Sequence, residues 1–252
     1  MFREYFILLL LGHILGDFYF QTKGLAERKE KSKKWVLRHC LSYWGTMVLI
    51  VLPVISYEII LAVTVASILH FVIDITKYTY LSVIAKKNKL TQVIERNIFF
   101  VDQILHLLSL ILIAYGLVIN DVVIKEWKVI ADFFSAVGID EVLILSWVLA
   151  LLVIHKPANI AIQKLLMVYK PENKEDGMKK DNNTGRFIGT IERIIMLIFL
   201  SIGQYSAIGL VLTAKSIARY DRISKEKDFA EYYLLGTLIS TVTAIICVLI
   251  IS

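Results

Sequence analysis

Seven side chains in the first half of the chain carry the chemistry it could perform: His13, Asp17, His39, His70, Asp74, Asp102 and His106. Six of them form three pairs, His13/Asp17, His70/Asp74 and Asp102/His106, each at i, i+4 spacing. On a helix that spacing stacks an imidazole and a carboxylate on one face. Together these are hard-to-borderline ligands, suited first to Zn²⁺ and otherwise to Mn²⁺ or Fe²⁺. Four His and three Asp exceed what one tetrahedral ion needs. The set therefore predicts either two ions, or one ion whose ligands are backed by a base, an acid and outer hydrogen-bond partners. All seven are candidate metal ligands, and Asp17, Asp74 and Asp102 are candidate catalytic carboxylates. Metal-activated water beside a spare carboxylate is the equipment for hydrolysis, whereas the same groups in series also relay protons in pumps.

The elements that must position these residues are transmembrane helices. Of the 252 residues 57% are hydrophobic, the mean hydropathy is +0.67, and the apolar residues fall in long runs rather than in alternation. That pattern predicts an all-α, polytopic helical bundle in the cell (inner) membrane. Spans are expected near 4–22, 38–56, 58–76, 98–119, 142–162, 194–213 and 232–251, about seven in all, each long enough for a core of roughly 30 Å. The last but one is interrupted by Gly203, Gln204 and Gly209 and could instead be re-entrant, leaving six spans. Two regions are expected: residues 1–120, a four-helix domain with the His/Asp cluster, and residues 121–252, an interfacial helix over 122–137 followed by about three spans. Residues 170–189 read as a polar linker.

Depth ties the pairs together. Spans one and three run towards cationic loops and span four runs away from one, so the reversed order Asp102/His106 is what helix direction demands. All three imidazoles then lie roughly 10–15 Å below one interface, with His39 at the rim of the same side. One His/Asp pair in a bundle is ordinarily a mutual hydrogen bond. Three pairs and a fourth His at matched depth, each ionisable group costing on the order of 2–3 kcal/mol to insert, favour one site.

Charge sets orientation and narrows the partners. The formal net charge is +6, but Lys and Arg lie in the connections between apolar runs. Membrane orientation and anionic headgroups account for them, and nucleic acid is not expected. Seven cations follow the first span and one precedes it, which predicts an outside N-terminus. The first segment carries His13 and Asp17 in its middle and lacks a cleavage site, so it is expected to be retained. Lys23, Arg38, Lys77 and Arg96 at the rim would favour an anionic substrate, although cytoplasmic flanks carry such residues in any case. Cys40 and Cys247 make no disulfide framework, Cys40 beside His39 could be a soft ligand but reads first as a small buried residue, and Gly12 and Gly16 read as a close helix contact. Nothing in the sequence fixes the oligomeric state.

The ordered motifs His13-x2-Gly16-Asp17-Phe18-x2-Gln21, His39, His70-x3-Asp74 and Asp102-Gln103-x2-His106 resemble a bacterial family of small membrane proteins catalogued as a domain of unknown function. The resemblance covers about residues 1–120. Stretches around Glu192-Arg193, Gly203-Gln204, Lys215 and Glu231 resemble the C-terminal extension of a subset of that family. The His-x3-Asp pairs are also similar to those of membrane-bound metal-dependent hydrolases, an analogy of pattern. The expected function is therefore hydrolysis of a lipid, lipid-linked or other small-molecule substrate at a metal site near the cytoplasmic interface. A metal-ion or proton-coupled transporter using the same cluster is the competing class.

Overall fold

The computed structural model describes residues 1–29, 32–170 and 184–251, and every regular element among them is helical. The chain forms two compact units, Met1–Leu149 and Ala150–Ser252. In the first unit α1 (Phe2–Ile14) runs into a π-helical turn, Leu15–Tyr19, and is followed by the short helix α2 (Lys23–Lys29). Then come α3 (Lys33–Val51), α4 (Tyr57–Lys86), α5 (Gln92–Ile119), α6 (Lys128–Val137) and the first part of α7 (Glu141–His155). Local chemistry sets the ends. Ser56 and Thr91 cap α4 and α5, their hydroxyls accepting from the amides of Ile59 at 3.2 Å and Ile94 at 3.3 Å. Pro53 lies in the turn Leu52–Val54 that closes α3. Gly138 ends α6 at φ 69°, a conformation that favours glycine.

Helices α1, α3, α4 and α5 pack in a closed ring, each on two neighbours. One end of the ring is filled by apolar side chains, among them Leu9, Met47, Val51, Val63, Leu110 and Leu117. The contact between α1 and α3 depends on glycine. A Cβ on Gly12 would lie 2.5 Å from Met47 Sδ, and one on Gly16 would lie 2.9 Å from Tyr43 Cδ2. Outward-facing Leu41, Leu61, Ile68 and Leu112 are exposed, the inverse of a water-soluble protein and the surface a bilayer requires. The interfacial helix expected over 122–137 is shorter: only α6 is helical, and Val122 and Ile124 before it pack on the core instead.

The second unit takes up the rest of α7, which breaks at Lys156 so that Pro157 starts α8 (Pro157–Leu166), the first helical position where its missing N–H costs nothing. It continues with α9 (Thr184–Ser201), α10 (Tyr205–Ile217), α11 (Tyr220–Lys225) and α12 (Lys227–Ile251). Among the described residues five stretches are long and apolar enough to cross a membrane: Lys33–Val54, Tyr57–Lys86, Gln92–Ile119, Glu141–Leu166 and Lys227–Ile251; the span expected at 4–22 is not among them, because α1 ends at Ile14 in the π-helical turn. The expected span at 194–213 is not one continuous helix. Gly203, at φ 72°, turns the chain, and α10 packs back along α9. Lys215 Nζ thereby meets Glu192 Oε2 at 2.7 Å. This hairpin is the geometry that the re-entrant alternative at Gly203-Gln204 would take. The linker expected at 170–189 lies largely outside the described residues.

Candidate metal centre

The end of the four-helix ring opposite the apolar core gathers all seven predicted side chains. His13, His39, His70, Asp74, Asp102 and His106 are buried, and Asp17 is nearly so. The π-helical turn changes the partners that sequence spacing implied. Instead of facing His13, Asp17 places Oδ1 3.2 Å from His39 Nε2, while His13 Nδ1 lies 3.2 Å from the Tyr43 hydroxyl. Such a turn is rare and frequent at functional sites. Here it rotates a carboxylate from its own helix towards α3. The Tyr43 ring stacks on His70 at 3.9 Å, so the residue against which Gly16 fits also holds an imidazole in place.

Among the described residues three groups each offer ligand atoms within 4.8 Å of one another: Asp74/Asp102/His106, Asp17/His39/His70 and Cys40/His70/Asp74. These groups could hold a metal ion. The first is distinguished by having an unsatisfied atom on every member, whereas the second has only His39 Nδ1 and the third only the shared Asp74 Oδ1. Asp74 Oδ1, Asp102 Oδ1 and His106 Nε2 are all buried without a hydrogen-bond partner. His106 Nε2 lies 3.6 Å from Asp102 Oδ1 and 4.0 Å from Asp74 Oδ1. Ligand atoms around a tetrahedral ion with bonds of about 2.0–2.1 Å sit roughly 3.4 Å apart, so this spacing needs little adjustment. Buried acceptors left bare are costly and rare, and three converging on one point have the form of a cation site.

Each member of that triad is also held from behind. Lys29 Nζ binds Asp74 Oδ2 at 2.6 Å, and Lys77 Nζ binds Asp102 Oδ2 at 2.7 Å, with the Gln103 amide donating to the same oxygen at 3.1 Å. His106 Nδ1 faces His70 Nδ1 at 3.1 Å. A hydrogen bond between them needs the hydrogen on one nitrogen and a lone pair on the other. A His106 that presents its Nε2 lone pair therefore donates through Nδ1 to His70. Outer partners of this kind fix the orientation of ligands and raise their basicity.

The second group is arranged differently. His39 Nε2 lies 3.1 Å from His70 Nε2, and His70 Nε2 lies 4.0 Å from Asp17 Oδ1. Lys29, from α2, already brings positive charge there, 2.6 Å from Asp74 and 4.0 Å from Asp17. Burial alone would lower the pKa of Lys29, but the Asp17 and Asp74 carboxylates raise it above its ordinary value and keep the ammonium charged. The third group adds Cys40, whose Sγ is 4.0 Å from Asp74 Oδ2. Two lysines against three carboxylates leave the cluster one negative charge in excess when the imidazoles are neutral.

Sequence reasoning missed Lys29 and Tyr43. Lys29 sits in a run of cations where no spacing separates it from its neighbours, and nothing but the fold brings α2 over the cluster. Tyr43 carries a weak signal: His39, Cys40 and Tyr43 are spaced i, i+1 and i+4 on α3. His13 lies within the cluster, its ring centroid 5.3 Å from that of His106, yet belongs to none of the three ligand groups. Of the other rim cations expected, Arg38 stacks on Trp35 instead.

The chain belongs to the family described as protein of unknown function (DUF3307), whose model matches residues 5–134. The match covers the four-helix ring and every residue of the cluster. No curated protein and no solved structure matches the chain.

Proposed function

We propose that the first unit is a membrane-embedded, metal-dependent hydrolase acting on a lipid or lipid-linked, anionic substrate near the cytoplasmic interface. The observation that carries this reading is the convergence of three bare, buried ligand atoms, Asp74 Oδ1, Asp102 Oδ1 and His106 Nε2. Three protein ligands with positions left open is the pattern of a catalytic rather than a structural site. A bound divalent ion, zinc first and manganese or iron as alternatives, supplies an acidified water and a polarised substrate oxygen. Asp17, outside the triad and held by His39, is the carboxylate left to accept a proton. His70 lies between His106 and His39, at 3.1 Å from each. Lys29 and Lys77 hold the outer oxygens of Asp74 and Asp102, and a bound divalent ion would turn the cluster's one negative charge in excess into one positive, which favours an anionic substrate.

One-sided access supports the enzyme over the transporter, since beyond the cluster the ring is closed by Leu9, Met47, Val63, Leu110 and their neighbours. One observation favours the competing reading. A cavity of about 640 Å³ in the first unit, lined mostly by apolar residues with Glu4, Glu126 and Glu141, reaches Leu11, two residues from His13. Protein reconstituted in vesicles separates the two. Metal-dependent release of a soluble headgroup from a lipid phosphoester, lost in Asp74→Asn and without vectorial uptake, is expected. Uptake of metal or protons that Asp74→Asn abolishes, with no turnover, would overturn the hydrolase.

A further inference from the structure

The second unit holds a charge that the proposed hydrolase does not use. Arg193, on α9, is 2% exposed. Its neighbour Glu192 is taken by Lys215, and no carboxylate lies within salt-bridge distance of Arg193 among the described residues. Its guanidinium is met only by neutral groups: Nη1 donates to Ser240 Oγ at 3.3 Å, and Nη2 to Asn159 Oδ1 at 2.7 Å and to the Ile154 carbonyl at 3.4 Å. That carbonyl lies just before the break at Lys156-Pro157. Nε has no partner among the described residues. A guanidinium cannot shed its proton to escape burial, so an isolated one at membrane depth is expensive.

Two more buried polar atoms in this unit lack partners, the Tyr233 hydroxyl and Thr237 Oγ1. Both are on α12, where Tyr233, Thr237 and Ser240 follow at i, i+4 and i+7 and so share one stripe. The stripe has a direction. Its first member carries Lys215 Nζ 5.5 Å from its ring, and its last is bonded by Arg193. Over about 10 Å of helix, hydroxyls therefore lead from an ion pair to a buried cation. Every uncommitted group on this track can donate. With Glu192 neutralised by Lys215, the net charge of the track is positive.

We propose that this track binds a phosphate group, with the unpartnered Nε of Arg193 as its anchor and the Tyr233 and Thr237 hydroxyls as further donors. Arginine with hydroxyl donors matches the geometry of phosphate oxygens. A free phosphate ion and the phosphodiester of a lipid headgroup present the same chemistry, and the Lys215 end is the side from which either arrives. The site lies wholly within the second unit and stands or falls independently of the hydrolase.

Thermal unfolding of the full-length protein in phospholipid-free detergent tests the proposal, with inorganic phosphate and phosphatidylglycerol as separate probes. Saturating probe is expected to raise the wild-type midpoint by roughly 5 °C. The Arg193→Met variant should lose that rise. Tyr233→Phe and Thr237→Val, which remove one hydroxyl each, should weaken the apparent affinity by about 3–10-fold and serve if Arg193→Met fails to fold. A rise with phosphate identifies the free ion, and a rise with phosphatidylglycerol alone identifies the headgroup. No rise with either probe, or an equal rise in Arg193→Met and in both hydroxyl variants, overturns the proposal.

Discussion

The two units bury charge of opposite sign and leave opposite groups bare. In the four-helix unit the carboxylates outnumber the lysines that touch them, and the unpartnered atoms include Asp74 Oδ1, Asp102 Oδ1 and His106 Nε2. In the second unit the excess is a guanidinium, and the unpartnered groups are Arg193 Nε and two hydroxyls. Satisfied buried polar groups say little beyond packing, because a hydrogen bond or ion pair is what any bundle supplies. What distinguishes these two places is the sign of what is left over, and that sign names the complement: a cation for one, an anion for the other.

The largest expected effect breaks the comparison on the cation side. Asp74→Asn or His106→Ala removes a ligand, and either should lower metal affinity and lipid turnover by more than ~100-fold, the upper figure for loss of an outer partner. Competition with a chromogenic chelator reads the affinity directly. Arg193→Met should leave both unchanged if the two sites are independent. Lys77→Met, which frees Asp102 Oδ2 without removing a ligand, should cost about 10–100-fold in the same assay.

Backbone packing sharpens the contrast at lower amplitude. Gly16→Ala forces a Cβ against the Tyr43 ring at 2.9 Å, whereas Gly236→Ala meets only Leu166 Cδ1 at 3.4 Å. Overpacking at Gly16 should destabilise by ~1–3 kcal/mol and disturb the His70 stack. At Gly236, in α12, the gain in helix propensity offsets the contact and the change should be neutral or stabilising by up to ~1 kcal/mol. Denaturant or thermal melts in one detergent compare the two.

Much of this was readable from the residues alone. Long apolar runs carry helix spans directly, and i, i+4 pairs at matched depth carry the cluster, because helix periodicity converts spacing into direction. What was not readable depends on how helices meet. The π-helical turn at Leu15–Tyr19 adds a register shift that no residue type marks, and it gives Asp17 to His39 instead of His13. Lys29 reaches Asp74 only because α2 folds over the ring end. The hairpin of α9 and α10 was foreshadowed by Gly203, and it has a consequence for orientation. If both ends of the hairpin lie on one side and the spans alternate, only Arg3, Lys125 and Lys128 of the 28 Lys and Arg residues fall on the other. Membrane-impermeant labelling should therefore treat Arg219→Cys and Lys87→Cys alike, both protected in intact cells. Labelling of one and not the other would restore a full span at 194–213.

The central claim is that Asp74, Asp102 and His106 hold a divalent ion, and elemental analysis of the purified full-length protein tests it most directly. After dialysis against zinc and then against metal-free buffer, the wild type should retain one ion per chain. The His106→Ala protein, still extracted from the membrane as a folded species, should retain none. Stoichiometric metal in His106→Ala, or none in the wild type under any of zinc, manganese or iron, would contradict it.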